Sequence, residues 1–180
     1  MTYGEYLGWA NEDVRAEWVN GEVIAYMPPD KVHQDIVFFL ATILRHYVEL
    51  RRLGEIMLAP FETRLDAVNS SREPDILFVA YRHAERLTRL RLVGPADVVI
   101  EITSDSTAHI DIHEKFEEYR QAEVAEYWLV DPREGKQEFN AYHLNQYGAY
   151  ELLPFDAAGR FHSVEIPDFW LEPAWLWQRP

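Results

Sequence analysis

The sequence predicts an α/β fold built on a mixed sheet, and three observations predict it. An amphipathic stretch over residues 31–52 and a second helical stretch over 104–122 are separated by several strand-like runs. Those runs come in groups between the helices instead of alternating with them one by one, which argues for a mixed sheet. The segments 76–79 and 96–102 are nearly continuous in branched apolar residues, the pattern of strands covered on both faces. At 180 residues, 48% hydrophobic and 14% aromatic, the chain suits a single well-packed domain over 1–180 and excludes a disordered or low-complexity scaffold.

The elements follow in order. Glu17-Trp18-Val19 and Glu22-Val23-Ile24-Ala25-Tyr26 flank Asn20-Gly21, a pair suited to the positive φ angles of a type I′ turn, so an N-terminal β-hairpin is expected. Pro28 and Pro29 stop that strand and Asp30 offers an N-cap. Val32, Ile36, Phe39, Leu40, Ile43, Tyr47 and Leu50 then recur at spacings of three and four, predicting a long helix that ends before Gly54. Strands are expected over 55–59, 61–65, 74–79, 96–102 and 126–130, with an antiparallel extension over 138–144 and 147–153. The helix starting near Ser104 carries Ile112, Phe116 and Tyr119 as its apolar stripe, with Lys115 on the flank. The tail, with Trp170, Trp175 and Trp177, is expected to lie as a lid on the extension.

A net charge of −14 argues against nucleic-acid binding through bulk electrostatics and leaves a local basic patch or bridging cations. The one dense basic segment, Tyr81 to Leu92 with Arg82, Arg86, Arg89 and Arg91, suits phosphate contact or a solvated helix face. Cysteine is absent, which removes disulfides, thiol catalysis and thiolate metal sites. The N-terminus has no secretory pattern and the longest apolar run, Ile36 to Leu44, is too short to span a bilayer, so a cytoplasmic protein without membrane contact is expected. No glycine-rich phosphate loop is present, and no organic cofactor is expected.

The chemically telling residues are acids on strands that otherwise read as buried. Glu101 interrupts Val98-Val99-Ile100 and Ile102, and Asp75 opens another apolar strand. Buried carboxylates must be paired, protonated or bound to a cation. If the two strands adjoin, a divalent ion relieves their repulsion, and Lys115 on the next helix orients a water or offsets developing negative charge. The competing reading is a structural Glu101–Lys115 pair. His109 and His113 share a helix face but read as solvated, because no glutamate follows His109 as in zinc-peptidase helices. Ser104 and Ser106 read as caps, Asp111 and Lys115 as an exposed i,i+4 pair, and Glu17 and Glu22, both within reach of the site's edge, as solvated strand acids.

Glu73-Pro74-Asp75-Ile76-Leu77-Phe78-Val79, then Val99-Ile100-Glu101-Ile102-Thr103-Ser104 with Ser106-Thr107, then Asp111, Lys115, Tyr119 and Glu126-Tyr127-Trp128-Leu129-Val130-Asp131-Pro132, resemble the Uma-two family, placed in the PD-(D/E)XK superfamily. The Asn20-Gly21-Glu22 turn and His33 extend the resemblance over most of the chain. It implies a restriction-endonuclease-like mixed sheet flanked by helices, and a nuclease in which Asp75 and Glu101 bind Mg²⁺ or Mn²⁺ and a lysine assists the attacking water. Asp111, Tyr119, Glu17 and His33 are placed around those three. The sequence departs from the superfamily at Thr103, where that lysine usually stands; Lys115 is then the migrated substitute. Asp105 and Glu123 stand where proline and glycine are usual. The resulting expectation is a metal-dependent nuclease acting on DNA, and the alternative is a nuclease fold kept as a non-catalytic interaction scaffold. The aromatic surplus near the C-terminus suggests a homodimer.

Overall fold

The computed structural model describes residues 1–10, 16–25 and 27–178. A short helix that the sequence pattern does not announce, α1 (Tyr3–Trp9), is opened by a capping box between Thr2 and Glu5. The hairpin forms as expected from β1 (Ala16–Val19) and β2 (Glu22–Ala25), with Asn20 and Gly21 both at positive φ; Tyr26, its expected last residue, lies outside the described residues. The long helix α2 (Lys31–Arg51) is capped by Asp30, whose carboxylate accepts from the His33 amide at 2.8 Å.

The strands divide between two mixed sheets. The central sheet holds β3 (Gly54–Leu58), β6 (Ile76–Ala80), β8 (Val98–Ile102), β9 (Glu126–Asp131), β10 (Glu138–Leu144) and β11 (Tyr150–Leu152). Its spatial order is β11-β10-β9-β8-β6-β3, with only β8 and β9 parallel. The second sheet, β2-β1-β5-β4-β7, joins the hairpin to β4 (Glu62–Leu65), β5 (Ser70–Arg72) and β7 (Arg91–Val93). The two strands expected over 55–59 and 61–65 thus lie in different sheets, and the three-residue strands β5 and β7 are too short to show a period of two. A further two-stranded pair, β12 (Phe161–His162) and β13 (Trp170–Leu171), precedes a final 3₁₀ turn at Pro173–Trp177.

Two apolar layers sandwich the central sheet. On one face Ile36, Leu40, Leu44 and Val48 of α2 meet Ile76, Phe78, Ile100 and Trp128, joined by Phe161, Phe169 and Leu171 from the tail. On the other, Leu77, Val79, Val99 and Tyr127 meet Tyr119, Ala122 and Val124. Each buried leucine, isoleucine, valine or phenylalanine among them contributes roughly 1.5–3 kcal/mol by leaving water. Trp175 and Trp177 pack against the α2 layer and Trp170 meets Trp175 at a tilt, so one chain accommodates much of the surplus on which the homodimer expectation rests. Among the described residues no helix is long and apolar enough to cross a membrane.

Three local expectations need correction. The buried line of α2 runs through His33, Ile36, Leu40, Leu44 and Val48, whereas Val32 and Leu50 are exposed. The helix ends before Gly54 as expected, but Gly54 is not its cap: Arg52 takes the left-handed cap at φ 55°, and Gly54 belongs to β3, where a Cβ would stand 2.1 Å from the Val79 carbonyl oxygen. The segment 104–122 is not one α-helix. A turn over Ser104–Thr107 leads into a π-helical stretch (Ile110–Lys115) and then α3 (Phe116–Gln121). The widened turn buries Asp111, Lys115 and Tyr119 on one line and leaves Ile112 and Phe116 half-buried beside it.

Candidate active site

Strand register brings the two acids together. Ile76 pairs with Ile100 in the antiparallel β6–β8 ladder, so one further step sets Asp75 opposite Glu101. Directly opposed residues share a face. Here it is the face of Leu77 and Val99, the one that the 110–121 helical segment covers. Both side chains line a cleft of about 290 Å³, whose walls include Glu17, His33, Asp111 and Lys115 and the Ser104–Thr107 turn.

Each carboxylate is gripped by one oxygen. Asp75 Oδ2 accepts from the Ile102 amide at 2.8 Å and lies 3.1 Å from His33 Nε2. Glu101 Oε1 accepts from Lys115 Nζ at 2.9 Å and from the Tyr119 hydroxyl at 2.7 Å. Asp75 Oδ1 and Glu101 Oε2 accept from no donor among the described residues. Two hard oxygens lining one cleft, with their partner oxygens already held, are a donor set suited to Mg²⁺ or Mn²⁺. Thr103, at the superfamily's usual lysine position, is fully buried, gives its amide to Val130 and does not line the cleft.

Lys115 is 4% exposed and sits among three carboxylates: Glu101, Asp111 Oδ1 at 3.1 Å and Glu17 Oε1 at 3.6 Å. Burial opposes its charge, but Glu101, Glu17 and Asp111 outweigh burial and hold the ammonium well above the usual lysine range. Burial lifts the Glu101 carboxyl above the ordinary carboxylate range; the Lys115 charge offsets this only in part, and Asp111, Asp75 and Glu17 push the same way as burial. Both ends of the pair move upward, Glu101 because burial outweighs the one ammonium and Lys115 because three carboxylates face it. Burial and the Glu101 charge keep the Tyr119 phenol protonated and therefore a donor.

Two readings of the surrounding residues change. Glu17 is buried: its Oε1 accepts from the Glu73 amide and its Oε2 from Arg72 Nη1 at 2.8 Å. Glu22 is exposed, as expected. Asp111 is likewise buried, so its pairing with Lys115 is not a surface one. Arg72 escaped notice in the sequence. It is fully buried and bridges Glu17 to Glu118, giving Nε and Nη2 to the Glu118 carboxylate at 2.9 and 2.6 Å. The only available signal was its position three residues before Asp75. The arginines of 82–91 do not line the cleft: Arg82 reaches Asp97 and Glu165, and Arg91 reaches Glu62. His109 is exposed and meets His113 edge to face, with ring centroids 4.9 Å apart.

Residues 3–174 match the Uma2 family, described as "Putative restriction endonuclease". The chain belongs to the Uma2 family. No curated protein matches the sequence. The Uma2 chain is also similar in fold to a crystal structure from Anabaena variabilis ATCC 29413, titled a putative nuclease belonging to DUF820. The two share 19% identity and a TM-score of 0.78, over 98% of this chain and 97% of that one.

Proposed function

We propose that the chain, acting over 1–180 as one restriction-endonuclease-like domain in the cytoplasm, hydrolyses phosphodiester bonds of DNA. In this reading Asp75 and Glu101 hold Mg²⁺ or Mn²⁺ and Lys115 assists the attacking water. The observation that carries it is the opposed Asp75–Glu101 pair in one cleft, each residue with one oxygen left by the surrounding donors and an ammonium 2.9 Å from Glu101. When bound, a divalent cation supplies Lewis acidity to a phosphate oxygen and charge to offset the transition state.

The chain's own residues do the rest. Asp75 and Glu101 are kept in place by His33, the Ile102 amide and Tyr119. Lys115 presents a positive charge next to Glu101, where it orients a water or meets charge growing on the phosphate. With a net charge of −14 and paired arginines, affinity for DNA beyond this point is low, and binding depends on the cation.

The test is Mn²⁺ titration together with DNA cleavage in Mg²⁺, on the parent protein and on Asp75→Asn and Glu101→Gln. Cation binding and cleavage that fall together in both variants are expected. A parent that binds Mn²⁺ no more tightly than the variants overturns the reading in favour of a non-catalytic scaffold, for which the close enclosure of Lys115 by carboxylates is the specific support. We also propose a homodimer, which adds basic segments beside one groove; light scattering that reports a monomer at high concentration overturns it.

A further inference from the structure

We propose that His33 is the positioning residue of the Asp75 carboxylate, acting as the Nε2–H tautomer and thereby setting the cation affinity of the site. The inference rests on the nuclease reading above and adds to it the group that orients one of the two acids.

His33 stands in the first turn of α2, its backbone amide fixed by Asp30. The ring is nine-tenths buried, and its Nε2 lies 3.1 Å from Asp75 Oδ2. An ionised carboxylate only accepts, so the proton of this contact belongs to Nε2. Nδ1 is buried and has no hydrogen-bond partner among the described residues. A proton there would be a buried orphan donor, which proteins avoid more strictly than an under-used acceptor. The surroundings therefore select one tautomer, with its single N–H on Asp75.

The consequence is directional. With the Ile102 amide, His33 occupies Asp75 Oδ2 from two sides, which leaves Oδ1 as the oxygen available to a cation. A carboxylate pinned in this way loses little further freedom on binding a cation, and partners that orient a metal ligand typically govern affinity by roughly ten- to a hundredfold. Asp75 precedes β6 rather than lying within it, so the ladder alone does not fix its side chain.

Nitrogen NMR of the metal-free parent at pH 8 reads the tautomer directly, and calorimetric Mn²⁺ titration reads affinity in the parent, His33→Leu and His33→Gln. The glutamine amide restores a donor near the Nε2 position; the leucine does not. The expected result is a protonated Nε2, a loss of roughly ten- to a hundredfold in Mn²⁺ affinity for His33→Leu, and recovery of most of it in His33→Gln. A proton found on Nδ1 overturns the inference. So does a folded His33→Leu that binds Mn²⁺ like the parent, or a glutamine variant as weak as the leucine one. A parent that binds no Mn²⁺ overturns the nuclease reading and this inference together, which separates the two failures.

Discussion

Lys115 and Glu101 meet inside the protein, ammonium to carboxylate at 2.9 Å, with neither residue more than 4% exposed. The contact joins the end of the π-helical stretch to the middle of the central sheet, and Asp111 and Glu17 close around the same ammonium.

Removing that ammonium leaves the buried Glu101 and Asp111 carboxylates with no cation beside them, while Glu17 keeps Arg72. Lys115→Met is therefore expected to lose activity and also about 3–5 kcal/mol of stability in the absence of divalent cation. Adding Asp111→Asn relieves part of the repulsion, so the double variant is more stable than the sum of the single losses, by a coupling of about 1 kcal/mol or more. Urea unfolding of the four proteins checks this; strictly additive losses would show that the two residues do not share a charge balance.

Arg72 connects β5 to β1 through Glu17 and to α3 through Glu118. Lysine carries the same charge but no fork. Arg72→Lys is expected to lower stability by about 2–4 kcal/mol, since it cannot serve both carboxylates from one buried position. A variant that unfolds at the parent's urea midpoint contradicts this.

Glu123 follows α3 at φ 63°, in a left-handed turn where the Val124 amide reaches back to the Tyr119 carbonyl oxygen. An L-residue pays a steric penalty there that glycine avoids. Glu123→Gly is expected to stabilise the fold by about 0.5–1 kcal/mol, the left-handed cost less the extra freedom of glycine in the unfolded chain. Thermal unfolding reads the sign.

Asp156 is pulled down to about 2 by His162, with help from the backbone amides of Arg160 and Ala158. Its folded pKa lies below the unfolded one, so its contribution to stability is complete above the ordinary carboxylate value and disappears as pH falls through about 2. Carbon NMR of the side chain should give a midpoint near that value, and His162→Ala should raise it. An unchanged midpoint in that variant would exclude His162 as the main cause.

Much of this was legible in the sequence because it depends on local pattern. The Asn20-Gly21 turn, the α2 helix and the apolar runs of β6, β8 and β9 each carry their signal in adjacent residues. Glu101 and Asp75 were conspicuous because charge in an apolar strand is costly. The assembly of the second sheet was not legible, since β5 and β7 are three residues long and β5 lies far in sequence from the hairpin it joins. For the same reason Glu17 read as solvated: its burial depends on Arg72 and Lys115, which only the tertiary fold brings to it. The π-helical stretch hid the polar line Asp111, Lys115 and Tyr119 behind an α-helical stripe of Ile112 and Phe116.

β3 and β6 are antiparallel neighbours, yet the chain between them, residues 59–75, leaves the central sheet to build β4 and β5 before returning at Asp75. The second sheet is thus partly an excursion grown from a hairpin loop, tied at its root where the Ala59 amide meets the Asp75 carbonyl oxygen. Such a layout separates what must stay fixed from what is free to vary. Changes along the excursion act on the cleft through Glu73, while the five-pair β3–β6 ladder anchors β6 and the β6–β8 ladder keeps Asp75 in register with Glu101. The fold can therefore diversify what approaches its acids without moving the acids themselves.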